Sequence, residues 1–464
     1  MNARDPENSR PAGRGRLRGA PALAGGLAVV FCLLGSIRPV PAADPEPSAQ
    51  DDATAEDLRR RVDELERAIA ELQEELRRLP GQGQQAAPAP APVTLVSSAS
   101  GKNYLNLSLD ALVAAGASTE PDVEGLETGG HDPAQRGFTL QNVEVVFDGA
   151  VDPYFRAQAN VAMQITPEGE TNVELEEAFA LSSSLPHSLQ LKVGQYLTEF
   201  GRFNPTHPHT WDFLDQTLVN GRMFGPDGLR SVGARLSWLM PTPFYSEAFL
   251  SVQNAYGATL TSFGSAPGES PFGRPIEERQ VGSLDDLLYT PRYAASFDVT
   301  DSQTVLGGVS AAIGPNGTGA DGRTTIYGAD AFWKWKPSTA NKGFPFVKVQ
   351  GEWMTRSYGA TATLALPAQT YRDHGAYLQA VWGFRPMWTV GARYDTVGGD
   401  TGVDPADPAA ESRRRVSADL TWFPTEYSKI RFQYSLDRRS VSEDAHSAWV
   451  QFEFLLGAHA AHKF

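Results

Sequence analysis

From Tyr104 onward, apolar and polar residues alternate closely enough to give segment after segment one greasy face and one wet face. In YFRAQANVAMQI, Phe155, Ala157, Ala159, Val161, Met163 and Ile165 oppose Arg156, Gln158, Asn160 and Gln164. In KIRFQYSLDR, Ile430, Phe432, Tyr434 and Leu436 oppose Arg431, Gln433 and Asp437. A helix, with its period of 3.6, mixes these two sets, whereas a strand, with its period of 2, separates them. About sixteen such segments start near residues 104, 137, 153, 172, 189, 229, 244, 288, 303, 324, 344, 373, 387, 414, 427 and 447.

The connections alternate in length. Short turns are expected at 148–153, 182–188, 240–244, 300–304, 385–387 and 423–427, with 336–346 an overlong member of this class. Longer loops are expected near 118–136, 198–228, 257–287, 314–323, 358–372, 398–413 and 438–446, with 166–171 a short member. An up-and-down sheet whose two ends face different compartments gives this pattern. Before several short turns a large aromatic sits on the greasy face: Trp238, Trp335, Phe384 and Trp422. Such rings are stable at a membrane–water boundary.

A water-soluble sandwich would also alternate, but its outer face would be rich in Lys and Glu. Here the wet face mixes Gln, Asn, Ser, Gly and Arg with scattered acids, as a water-filled lumen does. In lipid an unpaired backbone group costs several kcal/mol, so a spanning sheet must close. The expected fold is all-β: a transmembrane antiparallel up-and-down β-barrel of about sixteen strands over residues 101–464. The last strand, WVQFEFLLGAHAAHKF, ends on Phe464 and is expected to close the barrel and to be taken up by the barrel-assembly machinery.

The N-terminal part reads differently. Arg10, Arg14, Arg16 and Arg18 precede a short apolar stretch, Ala20–Gly35, and the small residues Ala42 and Ala43. This is the layout of an export signal over 1–43, followed by an acidic spacer at 44–57. Leu58, Val62, Leu65, Ile69, Leu72, Leu76 and Leu79 then form an unbroken heptad seam, predicting a coiled-coil helix over 58–79. Pro80 stops it, and 80–100 reads as a Pro/Ala/Gln linker. The coiled coil is expected in the periplasm and the barrel in a bacterial outer membrane. The one cysteine, Cys32, falls in the signal, and a net charge of −15 argues against nucleic-acid binding.

LEEAFALSSSLPHSLQLKVGQYLTEFGR (175–202) resembles the hairpin that leads into the third surface loop of the phosphate-selective (O/P-type) porins of bacterial outer membranes. The coiled coil, the strand count and the terminal Phe are similar too. The resemblance implies a sixteen-stranded barrel, trimeric, passing small solutes and selecting anions with basic residues. The loop at 198–228 lacks that family's dense lysine cluster.

That loop, FGRFNPTHPHTWDFLDQTLVNGRMFGPDG, is the third outward one; by analogy it enters and narrows the barrel, the main alternative being a lid packed over the mouth. Its aromatic content and its prolines, Pro205 and Pro208, suit an ordered segment. Its candidate constriction residues are Arg202, His207, His209, Asp212, Asp215 and Arg222. His207 and His209, with Asp212 and Asp215, are weak candidates for a divalent metal such as zinc, and His459 and His462 form a second weak pair. Arg156, Lys192, Arg235, Arg292, Lys348, Arg393 and Arg431 share the wet parity with Glu144, Glu174, Glu247, Asp298, Asp330, Glu352, Asp395 and Asp419. They either line a pore and attract anions or form internal salt-bridge ladders. No nucleophile triad or phosphate loop stands out, and no cofactor is implied. The expectation is a porin for passive diffusion of small hydrophilic solutes. The rivals are a receptor barrel for a metal or another scarce nutrient, and a barrel enzyme.

Overall fold

The computed structural model describes residues 93–97, 103–257, 259–264, 271–277 and 279–457. The expected export signal, spacer and coiled coil lie outside the described residues, as do His459, His462 and Phe464.

The strands are β1 (Val93–Ser97), β2 (Tyr104–Ser118), β3 (Gly137–Ala150), β4 (Phe155–Ile165), β5 (Thr171–Ser182), β6 (Leu189–Leu197), β7 (Arg230–Leu239) and β8 (Tyr245–Asn254). They continue as β9 (Leu287–Thr300), β10 (Gln303–Pro315), β11 (Arg323–Trp335), β12 (Phe346–Ala360), β13 (Gln369–Arg385), β14 (Trp388–Gly399), β15 (Arg413–Thr425), β16 (Ser428–Arg439) and β17 (Ala445–Leu456). Each of β2 to β16 pairs antiparallel with its successor, and β17 returns to β2 from Ser447↔Ser118 to Leu456↔Leu109. The result is a closed sixteen-stranded barrel with short turns at one end and long loops at the other.

Burial is inverted relative to a water-soluble protein. The outward residues Leu378, Trp382, Val416 and Phe432 are 58, 52, 52 and 49% exposed, while the inward Arg393 and Arg415 are 2 and 0% exposed. An outer wall of exposed Leu, Val, Trp and Phe around a polar interior is stable where the wall meets lipid. Trp238, Trp335, Phe384 and Trp422 fall on that outer parity at the short-turn end, where Trp388 stacks on Trp422 at 5.9 Å.

One segment departs from expectation. Val93–Ser97, read as unpaired linker, pairs with Tyr104–Leu107 of β2. VTLVS follows the Pro-rich run and has strand propensity of its own. It covers the stretch of the β2 edge that the described part of β17 does not reach.

Two β-bulges shape the interior. Where Leu112 and Val113 of β2 face Asn142 and Leu140 of β3, Gln141 is the extra residue. Where Asn160 and Val161 of β4 face Glu177 and Leu175 of β5, Glu176 is extra. An inserted residue breaks the alternation. Gln141 with Asn142, and Glu176 with Glu177, are therefore buried as consecutive pairs.

Candidate functional site

Residues 198–229, between β6 and β7, fold into the barrel. Gly201 takes a left-handed φ of 61°, and a Cβ there would run into the Glu352 carboxylate. The turn lets the N–H groups of Arg202 and Phe203 donate to Glu352 Oε1 at 3.0 and 2.5 Å. A short helix, α1 (Leu218–Phe224), ends the loop. Phe200, Phe203, Leu218, Val219, Met223 and Phe224 form an apolar cluster with Phe263, Leu288 and Met354 inside the barrel. Each such side chain contributes roughly 1.5–3 kcal/mol on burial. The wall makes room for it: a Cβ on Gly328 would meet Phe200, one on Gly375 would meet Val219, and one on Gly391 would stand 3.1 Å from Phe213.

The loop is bonded to opposite walls. On one side His207 Nε2 lies 2.9 Å from Glu177 Oε2 of β5. On the other, Leu214 N–H donates to Gln433 of β16 at 2.9 Å, Gln379 of β13 donates to Asp212 at 3.0 Å, and Arg222 donates to Asp373 of β13 at 2.9 Å. Asp215 receives Arg393 of β14 and Arg415 of β15 at 2.7 and 2.6 Å. Burial alone would raise the Asp215 carboxyl, but these two guanidiniums outweigh it and hold it below the usual carboxylate range. The loop at 119–136 packs on the same assembly: Glu127 reaches Arg415 at 2.6 Å, and Asp132 accepts from Gln216 N–H at 2.8 Å.

The seven basic residues of the wet parity do not share one environment. Arg235 holds Glu199 at 2.5 Å, Arg292 holds Asp330 at 2.6 Å, and Arg393 holds both Asp215 and Asp395 at 2.7 Å. Arg431 donates to Gln451 and to the Trp211 carbonyl at 3.0 and 2.8 Å. These four are buried, so they brace the wall and the loop and do not face an open pore. Arg156 is exposed and donates to Tyr104 Oη at 2.6 Å. Lys192 and Lys348 are half-buried, at 3.1 Å from Glu199 and 2.5 Å from Asp212. Of the loop candidates, Arg202 and Asp212 keep water access, whereas His207, His209 and Asp215 are buried. Arg202 donates to Gln350 at 2.9 Å and lies 4.1 Å from the Phe332 ring centroid.

The two histidines meet acids other than those expected. Asp212 and Asp215 are turned to the far wall, and the bulged wall supplies Glu144, Glu176 and Glu177. His131, from the loop at 119–136, lies 2.9 Å from Glu176 Oε1. Burial would lower its pKa, but the Glu176 carboxylate outweighs this and raises it to about 9. His207 is likewise raised well above the ordinary imidazole value, its carboxylate neighbours outweighing burial.

No family model matches the chain. A protein of Aquifex aeolicus (strain VF5), described only as uncharacterized, is 31% identical over 365 residues, 72% of this chain and 73% of its own length. The chain belongs to that protein's family. Among solved structures, the outer membrane channel DcaP of Acinetobacter baumannii aligns with a TM-score of 0.53 at 11% identity, over 78% of this chain and 99% of its own. An anion-selective porin from Comamonas acidovorans aligns at 0.48 and 7% identity, over 76% of this chain and 100% of its own. The likeness to DcaP is one of fold, a porin-like barrel.

Proposed function

We propose that the protein is an outer-membrane porin through which small hydrophilic solutes diffuse passively, past an eyelet formed by the loop at 198–229. The observation that carries this is the loop bonded across a closed barrel with a polar interior, leaving charged side chains with water access at its rim. A fixed constriction inside a wide barrel sets solute size without moving parts. The rim carries Arg202 and Lys348, with Lys334 directly opposite Lys348 in the β11–β12 pair, and Asp212 is the acid that meets Lys348. This local excess of positive charge supports a mild preference for anions, phosphate among them, as the family resemblance implies. The four buried wall arginines, Arg235, Arg292, Arg393 and Arg431, add little to it, because acids or carbonyls hold them. Three copies associating through their apolar walls would follow the same resemblance.

Planar-bilayer recording tests the reading. Purified protein should give stepwise openings, and under a salt gradient the reversal potential should carry the sign of anion preference. The K334Q/K348Q double variant should move it toward zero. A barrel that inserts but never conducts overturns the proposal.

A further inference from the structure

The cluster around His207 has the spacing of a metal site. His207 Nε2 lies 2.9 Å from Glu177 Oε2, so a cation that displaces the Nδ1 proton would find the ring already oriented by an Nε2–H donated to this carboxylate. Nδ1 faces Glu144 Oε1 and Glu176 Oε2, each at 3.4 Å. The ligand atoms of Glu144, Glu176 and His207 all lie within 4.8 Å of one another, and all three residues are buried. Tetrahedral ligands bound at about 2.0–2.1 Å stand roughly 3.3–3.4 Å apart, so little movement is needed to close around an ion. A carboxylate orienting a metal-binding imidazole through its other nitrogen is a recurrent support for such sites.

A second observation points the same way. Asp110 is 0% exposed, and neither of its oxygens accepts a hydrogen bond among the described residues. Its Oδ2 lies 3.6 Å from His209 Nδ1, which in turn is 3.3 Å from Glu144 Oε2. A buried carboxylate without hydrogen bonds is costly and calls for a cation nearby. Asp110, Glu144, Glu176 and Glu177 crowd one spot, and among the described residues their ion-pair partners are imidazoles, not Lys or Arg. The nearby Lys429 is engaged by Glu453.

We propose that Glu144, Glu176 and His207 bind one divalent transition-metal cation, for which zinc is the best match, with His209 and Asp110 bordering it. Mixed imidazole and carboxylate ligands suit zinc and its first-row neighbours and not calcium or magnesium. The ion joins β3, β5 and the inserted loop, and through His131 on Glu176 also the loop at 119–136. It is a fastener for the constriction, buried behind the loop and separate from the solute path.

The test uses the full-length protein, folded in detergent, stripped with a chelator and dialysed against zinc chloride alone. Elemental analysis should find one zinc per chain. Glu176→Gln and His207→Ala should each abolish it. Glu177→Gln, which removes only the orienting contact, should weaken it about 10–100-fold. Glu443→Gln, an exposed acid on the β16–β17 loop, should bind as the unaltered chain does. Heat-modifiable migration in gels shows whether each variant forms a barrel. No zinc above background in the unaltered chain overturns the proposal without any variant, and zinc retained in both His207→Ala and Glu176→Gln also overturns it. Either result leaves conductance, and so the porin reading, untouched.

Discussion

At the scale of the residue, Asp215 ties the inserted loop to three strands, meeting Arg393 of β14, Arg415 of β15 and Gln433 of β16. Replacing it with Asn leaves two buried guanidiniums short of an acceptor. Arg393 keeps Asp395 and Arg415 keeps Asp437. The cost should therefore fall at the lower end of the ~3–5 kcal/mol of a broken buried pair. A lowered denaturation midpoint and a larger, noisier single-channel conductance would register it. The pH dependence follows from the sign of the shift. A carboxyl held below its unfolded value of roughly 3.9 contributes stability above that pH and loses it as pH falls through the lower folded value. The unaltered chain and D215N should therefore differ equally at pH 7 and pH 5 and converge only below about pH 4. Chemical-denaturation midpoints of the two across that range check it. Inward parity was legible for all seven basic wall residues, but their partners were not, because parity carries no information about which loop lies opposite. Glu176 and Glu177 were missed for a sharper reason: strict alternation sends one of two neighbours outward. Two consecutive charges in a strand with an apolar outer face were the available sign of a bulge.

At the scale of the element, the existence and order of the sixteen barrel strands followed from alternation alone, and their starts lie within four residues of expectation, while β1, read as linker, was missed. The pattern works because each strand has one face on lipid and one on the lumen, so nothing competes with the period of 2. It fails where a third layer enters. The inserted loop has its own apolar cluster and a helical turn at Leu218–Phe224, which the barrel pattern does not encode. Its footprint was present as Gly328, Gly375 and Gly391 on the wet parity, each small where the loop presses in. The loop's entry depends on the left-handed turn at Gly201. Gly201→Val adds about 1–2 kcal/mol of backbone strain and drives the side chain into the Glu352 carboxylate. The barrel should still form, while open-channel conductance rises and a protease added from the loop side cuts within 198–229.

At the scale of the whole molecule, the inverted burial decides which substitutions the fold tolerates. Leu378, near the middle of β13 and 58% exposed, faces outward. Leu378→Arg should cost about 2–4 kcal/mol in a bilayer and little in a detergent that lets the side chain reach water. Refolding yields into vesicles and micelles, compared side by side, would separate the two environments.

A strut fixed at both ends also governs the shape of the tube around it. The inserted loop holds Glu177 on one flank and Asp373, Asp395 and Gln433 on the other. Flattening the cylinder would stretch or tear those bonds before the strands could slide. The bore should therefore keep its cross-section under lateral squeeze, with girth and aperture governed together by one segment of chain.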